Sequence, residues 1–582
     1  MNRNFIVTLA GLAVIFAAVI FCIWPGMQAP LFTDDIHELE RVSHFDKITD
    51  VFQPDVFGFY RPVKNALFMA AAPLQKNLMA WHLIGLIAYL AAIVAVYRIA
   101  SIFLGSRRAA WIACCLWALS PTCVSTGVWL SSANISIGLV FTACVFHFHE
   151  RWANHSDIGP PAASLIFFAL ALLCYESMIA IPALLFIRDL QQRRIGFDRQ
   201  SYIRFGLYAL VAVAFLIVRH LYSAHGIGAR NFHPGFAPDT QAWHLSVSAP
   251  WFLWRHFLMW IFPFGKLELL GSYAWMRSAS PASLAFGWAF LLALVGSAAW
   301  TWKRFPVISC GLLIFVVASL PAGNFIPNFN GPINDVYVTI PSIGLVIALA
   351  ASCEILITQF VKRRREAEAG SFVILATLCI FLVLRIPVCG AYFRYWAGVW
   401  TNPTEMMLLS SETRPYQFQP KSYVSVLLLS AGYVEDAERI AHEVIREAPW
   451  HESARLTLAK IAEYHEDYAT AEIYYHFILD SKTVSVLLKE PALLDFAKML
   501  AKNPARREDA AKYFREYLQS SRNGKKPEAI AMLSQIYKEE GNVPKARATL
   551  ERGLSLHPRN TELAKLLDAM GHPTPQPSPT TH

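Results

Sequence analysis

The chain has 582 residues, 55% of them hydrophobic and only 16% charged, with 39 Phe and 17 Trp. That composition excludes an ordinary soluble domain and describes a multi-span membrane protein with a more polar part attached. The formal net charge of +9 falls largely in short loops between apolar runs, where it reports topology and not nucleic-acid binding.

The ten cysteines run from Cys22 to Cys389 with no CxxC pair. Neither a disulfide framework nor a zinc site is expected, and they read as small buried hydrophobes. The first apolar run, Phe5 to Trp24 behind Arg3, is about one bilayer span long and reads as an anchor with its N-terminus in the cytoplasm. Asp34 and Asp35 follow where the chain leaves the membrane. Adjacent carboxylates repel one another unless a proton, a cation or a metal is shared between them. A solvated loop helix with one of the two as its N-cap explains the pair equally well. Residues 25–79 are too broken to span and read as a first extracytoplasmic loop with short interfacial helices.

Further spans are expected near 81–103, 109–121, 132–149, 162–175, 177–188, 203–221, 282–302, 306–321, 336–360 and 371–390, about eleven in all with the first. Segment 250–264 carries Trp251, Trp254 and Trp260 ahead of Phe262-Pro263. It is assigned to the outer interface, because only then do Lys303-Arg304 and Lys362 to Arg365 stay cytoplasmic. The chain after Arg394 then emerges on the face that carries Asp34.

From about 415 the chain turns charged and alanine-rich. Ala437 in Gly432-Tyr433-Val434-Glu435-Asp436-Ala437 and Ala471 in Glu466-Asp467-Tyr468-Ala469-Thr470-Ala471 are 34 residues apart, the tetratricopeptide period. Further units appear at Glu508-Asp509-Ala510 and at Gly541-Asn542-Val543-Pro544-Lys545-Ala546. The domain reading is therefore a membrane domain over 1–400, helix-pair repeats over 415–570, and a Pro-, Ser- and Thr-rich tail over 571–582 that is expected to be disordered.

An acidic pair after the first span, a multi-span core and repeats on the same face together resemble the GT-C superfamily of membrane glycosyltransferases. The pattern is most similar to the transmembrane and tetratricopeptide repeat-containing O-mannosyltransferase-like family. Thr33-Asp34-Asp35 with Tyr60-Arg61-Pro62-Val63 looks like that family's acidic pair and Tyr-Arg-Pro motif. Tyr175-Glu176 resembles its Lys-Glu pair, Asp335 to Ser342 its Glu-Arg-x-x-Tyr-Leu-Pro-Ser segment, and Tyr392 to Trp400 its entry to the repeats. The chain departs from the family at Ser120 to Ser125, where the pattern has His-Pro-x-His-Thr-Glu, and at Val336, where it has Arg. The resemblance implies an all-α fold, a GT-C-like core of about eleven transmembrane helices followed by a tetratricopeptide α-solenoid. It also implies inverting transfer of a sugar from a polyprenyl-phosphate-linked donor to a protein or glycan outside the cytoplasm, and the compact architecture points to a bacterial inner membrane with the site periplasmic.

Such a reaction needs a base near the nucleophile and cationic help for the departing phosphate. Asp34 is the expected base, with Asp35 raising its pKa or holding a metal or the acceptor. Carboxylate with water would suit Mg²⁺ or Mn²⁺, but two acids alone do not specify a site, so metal dependence stays open. Arg61, Arg385 and Arg394 are the candidates for the donor phosphate, with snorkelling to headgroups the plain alternative for Arg385. Tyr60, Glu176, Asp335, Tyr337 and Asn330 are the candidate substrate-binding residues, although an acid at the end of a span is often only a helix cap. Two other readings remain: a membrane-anchored scaffold with a dead core, or a transferase acting on lipid or surface polysaccharide. A transporter fits less well, because the expected spans carry almost no acids at mid-membrane.

Overall fold

Long runs of Leu, Ala, Val and Phe with few breakers favour helix, and the computed structural model contains no strand among its described residues. It describes residues 3–570 except Thr33, His44, Asp46, 56–57, 155–161, 196–198, 223–241, 263–279, 327–332, 363–368, 413–417, 482–485, 521–525 and 559. The chain divides into two compact units, Met1–Pro420 and Lys421–His582.

In the first unit the opening helix, Arg3–Ile23, ends at Trp24-Pro25 in a short 3-10 turn. Two loop helices follow, Asp34–Val42 and Pro62–Ala71, and then the Leu78–Leu104 helix. Asn77 caps that helix by accepting from the Ala80 N–H at 3.1 Å, and Gly105 ends it. The loop helices are pinned by an apolar seam: Leu39, Val42, Phe68, Ala71, Trp81, Leu130 and Ala133 form one buried cluster. Burying that seam is what sets the polar residues on the same helices inward as well.

The span count differs from the expectation. Five helices among the described residues are long and apolar enough to cross a membrane: Ile6–Gln28, Leu78–Leu104, Leu130–Ala153, Arg199–Tyr222 and Pro281–Thr301. A sixth arises if Arg107–Ala118 and Pro121–Val128, bent by 65° at the intervening break, count together. The multi-pass membrane character stands, and the count of eleven does not. The reason is helix length. Ala162–Cys174 has 13 residues, Ile181–Gln191 has 11 and Pro306–Ser319 has 14. At about 1.5 Å per residue these fall short of a hydrocarbon core about 30 Å thick. Ser120-Pro121, where the expected span 109–121 ends, does break the helix, because proline removes a backbone donor. The Ala242–Ile261 helix, with Pro250 inside it, is not one of the five.

In the second unit each helix packs on the next, from Val434–Glu447 through Glu452–Tyr464, Tyr468–Leu479, Val486–Ala501, Arg507–Ser520, Pro527–Glu539 and Val543–Leu556 to Thr561–Asp568. The repeat is visible in backbone geometry. Gly432, Glu466 and Gly541 all have positive φ, at 85°, 60° and 80°. Each is followed by an N–H that reaches back to a carbonyl five residues earlier: Tyr433 to Leu428 at 2.9 Å, Asp467 to Ala462 at 2.8 Å and Asn542 to Tyr537 at 2.8 Å. This is the left-handed helix terminator, and glycine fills it without a Cβ penalty at two of the three places. Ala437, Ala471, Ala510 and Ala546 are all fully buried, as close helix crossing requires. Phe514, also fully buried, lies in the same core as Tyr475, Phe496 and Leu533. Phe514→Ala should therefore destabilise the repeat unit by about 3–5 kcal/mol. The check is earlier proteolytic cleavage and a lower melting temperature for the repeats of the purified chain.

Candidate active site

Asp34 opens the first loop helix, and Asp35, Glu38, Leu39 and Val42 form its buried face. Asp35 and Leu39 are one turn apart, so anchoring the apolar seam draws Asp35 inward with it. Its Oδ1 accepts the Ser131 N–H at 3.0 Å and the Ser131 hydroxyl at 2.6 Å. That carboxylate is a strut between the loop and the turn at Leu130–Ser132. Burial pushes it up to about 7, with the Ser131 hydroxyl bond working against the rise.

Asp34 differs from its neighbour. It is only partly buried, and among the described residues its carboxylate makes no hydrogen bond and no ion pair. Burial lifts its pKa to about 6, Lys64 and Arg61 pull it down, and Glu38 and Asp55 push it up. An acid in that range can accept a proton at neutral pH.

The groups around it form one alternating chain of charge. Arg41 donates to Glu38 at 2.7 Å and to the Asn65 side chain at 2.5 Å. The Lys64 ammonium lies 3.0 Å from Glu38 and 3.5 Å from Asp55, with 1% of its side chain exposed. Arg61 lies 3.8 Å from Asp55 and grips Glu176 with two bonds of 2.8 and 2.6 Å. Arg61 also stacks over Phe59 and Tyr175 at 4.3 and 5.0 Å. Burial alone would raise the Glu38 carboxyl, but Lys64 and Arg41 outweigh it and hold it low. Glu176 follows the same logic: burial would raise it, yet Arg61 outweighs that and drives it down to about 2. Burial works against the Arg61 and Lys64 charges, yet their acidic partners win and raise both.

Tyr60 is buried, with its ring 5.8 Å from that of Tyr222. Burial raises the Tyr337 phenol, which also feels Tyr175, Arg61, Glu176 and Asp34, so it faces this cluster. Asp335 faces away from it. The Ser125 hydroxyl donates to its Oδ2 at 2.5 Å, its Oδ1 has no hydrogen-bond partner, and burial raises it to about 7. Arg385 is engaged at the end of the Ala242–Ile261 helix, donating to the Ile261 carbonyl at 2.8 Å and to that of Trp260. Arg394 donates to the Phe21 carbonyl and lies over its ring at 4.2 Å. Asn330 lies outside the described residues.

The structure thus gathers Asp34, Asp35, Arg61, Glu176 and Tyr337, while the contacts of Arg385 and Arg394 lie elsewhere. It adds Glu38, Asp55 and Lys64, which sequence reasoning missed. Lys64 in Pro62-Val63-Lys64-Asn65 reads as a solvated helix residue, and Asp55 after Pro54 reads as a turn former. Their one shared signal is charge inside a loop pinned by apolar residues. A resident Mg²⁺ or Mn²⁺ does not fit these residues. Asp35 is committed to Ser131, Lys64 and Arg61 already supply positive charge, and among the described residues no group of three or more His, Cys, Asp or Glu could hold a metal.

Residues 505–570 match the tetratricopeptide repeat family model. The chain is a multi-pass membrane protein bearing tetratricopeptide repeats. No curated protein matches it. Among solved structures it is similar to ArnT from Cupriavidus metallidurans bound to undecaprenyl phosphate, at 13% identity over 86% of this chain and 81% of that one, with a TM-score of 0.34. It is also similar to a thermophilic TPR protein of Thermus thermophilus, at 17% identity over 30% of this chain and 90% of that one, with a TM-score of 0.22. Yeast Tom70 shows 12% identity over 82% of this chain and 95% of that one, with a TM-score of 0.26.

Two outcomes follow from this geometry. Lys64→Met leaves Glu38 and Asp55 buried without their ammonium and should cost about 3–5 kcal/mol, read as a large drop in melting temperature in detergent. Asp335 is raised from the ordinary 3.8 to about 7 in the folded chain. The folded state therefore holds this proton more tightly than the unfolded one, a contribution to stability that is complete at acid pH and lost as pH rises through about 7. The melting temperature should fall from about pH 4 to about pH 7, and Asp335→Asn should make that fall shallower.

Proposed function

We propose that the protein is an inverting membrane glycosyltransferase that moves a sugar from a polyprenyl-phosphate-linked donor to a protein or glycan on the extracytoplasmic face, with Asp34 as the base. The observation that carries this reading is the contrast between two adjacent acids: Asp35 is committed to Ser131, whereas Asp34 is unbonded, partly exposed and poised near pH 6 beside Lys64 and Arg61. In the reaction the Asp34 carboxylate takes the proton of an acceptor hydroxyl. The acceptor oxygen bonds to the anomeric carbon, the bond from that carbon to the phosphate oxygen breaks, and the lipid phosphate leaves. Tyr337 and Tyr60 border the same cluster and would contact the sugar or the acceptor. The reading assigns the site to the periplasmic side of a bacterial inner membrane and gives the repeats the task of engaging the acceptor or a partner protein.

A second reading has one observation in its favour. Every cation of the cluster among Arg41, Lys64 and Arg61 is already paired with an acid, which suits a rigid platform that anchors the repeats without chemistry.

Transfer of radiolabelled sugar from polyprenyl-linked donors by the purified chain separates the two. Asp34→Asn should lower kcat by about 10²–10⁴ without loss of expression. The wild-type rate should rise with pH through about 6, because the base works only when ionised. Equal label with both proteins would remove Asp34 from the mechanism, and no label from any donor would favour the platform.

A further inference from the structure

The strut between Asp35 and Ser131 joins residues 96 apart in the chain. Side chains outside the charged cluster hold the same two stretches together. His82 reaches both: its ring nitrogens lie 2.8 Å from the Ala29 carbonyl and 3.0 Å from that of Val128. Gly26 marks a third close approach, because a Cβ there would stand 2.9 Å from the Val128 side chain and 3.0 Å from the Ala397 carbonyl. The end of the Ala369–Val399 helix therefore comes in at the same place.

Trp400, the residue after that helix, fills the junction and is 4% exposed. Its ring meets Phe32 edge-on at 5.9 Å and Trp129 at 5.7 Å. Neither indole N–H has a hydrogen-bond partner among the described residues, so ring packing makes these contacts. Each neighbour of Trp400 supports one end of the strut. The Phe32 carbonyl accepts the Asp35 N–H at 3.0 Å, one of the first-turn donors that a helix leaves open. The Trp129 carbonyl accepts the Ser132 N–H at 3.0 Å and so forms the turn that presents Ser131.

We propose that Trp400 is a positioning residue: by spacing Phe32 from Trp129 it keeps Asp35 on Ser131, and so holds the neighbouring Asp34 unbonded at the charged cluster. The effect on catalysis rests on the transferase reading. The spacing does not, and the two are measured separately.

The experiment compares the purified full-length chain in detergent as wild type, Trp400→Phe, Trp400→Leu, Ser131→Ala and the Trp400→Leu/Ser131→Ala double variant. Amide hydrogen exchange reads Asp35 and Ser132, whose N–H groups bond the Phe32 and Trp129 carbonyls, with the repeat helices as reference. Sugar transfer from polyprenyl-linked donors reads kcat and KM. Trp400→Leu should speed exchange at both amides by about tenfold or more and leave the repeats unchanged. It should lower kcat by about 10²-fold with little change in the donor KM, the mark of displaced geometry and not of lost binding. Trp400→Phe, which keeps a ring beside Phe32, should recover part of both losses. The double variant should lose no more kcat than the worse single one, because both changes release the same strut.

A wild-type kcat in Trp400→Leu, or wild-type exchange at the two amides, would overturn the proposal. So would losses of kcat that multiply in the double variant, or faster exchange spread evenly over the membrane unit, the mark of core packing alone. If Trp400→Leu does not fold, Trp400→Phe is judged by the same readouts. If no chain transfers sugar but exchange at the two amides follows the expected order, the transferase reading fails and the spacing role of Trp400 stands.

Discussion

Lys64 has almost no contact with water and two carboxylates within 3.5 Å. Carrying its charge into that position is costly, and the cost is offset only while Glu38 and Asp55 both face it. Everything near the site is arranged around that condition. Glu38 must come inward on the first loop helix, which also draws in Asp35 and Leu39. Asp55 must be held in its turn, where its Oδ1 accepts the Phe59 N–H at 2.8 Å and sets up the approach to Tyr60 and Arg61. The loop behaves as one electrostatic unit in which no member can be moved alone.

That unit divides labour between two neighbouring acids. Asp35 and Asp34 are consecutive in sequence, yet a helix turns about 100° per residue, so one meets Ser131 and the other the edge of the charged cluster. The first fixes geometry and the second keeps a lone pair. Placing an ionisable carboxylate among paired charges, and not in bulk water, lets its affinity for a proton be raised first by burial and then trimmed by the balance of Lys64 and Arg61 against Glu38 and Asp55.

Local pattern and tertiary arrangement were unequally legible in the sequence. The helix-pair repeats could be read from the 34-residue interval between Ala437 and Ala471, because each unit contacts only its neighbours and the signal is local. The acidic pair, Tyr60, Arg61 and Glu176 stood out as charged or polar groups beside spans, and several of them do meet. Lys64 and Asp55 were hidden because a lysine in a short helix and an aspartate after proline look the same whether solvated or buried. Arg385 shows the converse: it stands out as a charge in an apolar run, but nothing in its surroundings announces that two backbone carbonyls claim it. Helix breaks were the least legible feature. Pro121 did mark the end of the expected span 109–121, but not the 65° bend into Pro121–Val128 that follows.

The separation of partners along the chain has a consequence for biosynthesis. Lys64 finds Glu38 and Asp55 within 26 and 9 residues, whereas Arg61 waits 115 residues for Glu176. At about 5–20 residues per second the ribosome takes roughly 6–23 s to cover that interval. The inner part of the network, in which Asp55 also stands 3.8 Å from Arg61, can therefore close while the chain is still short, and the two-bond grip on Glu176 is the last part to form.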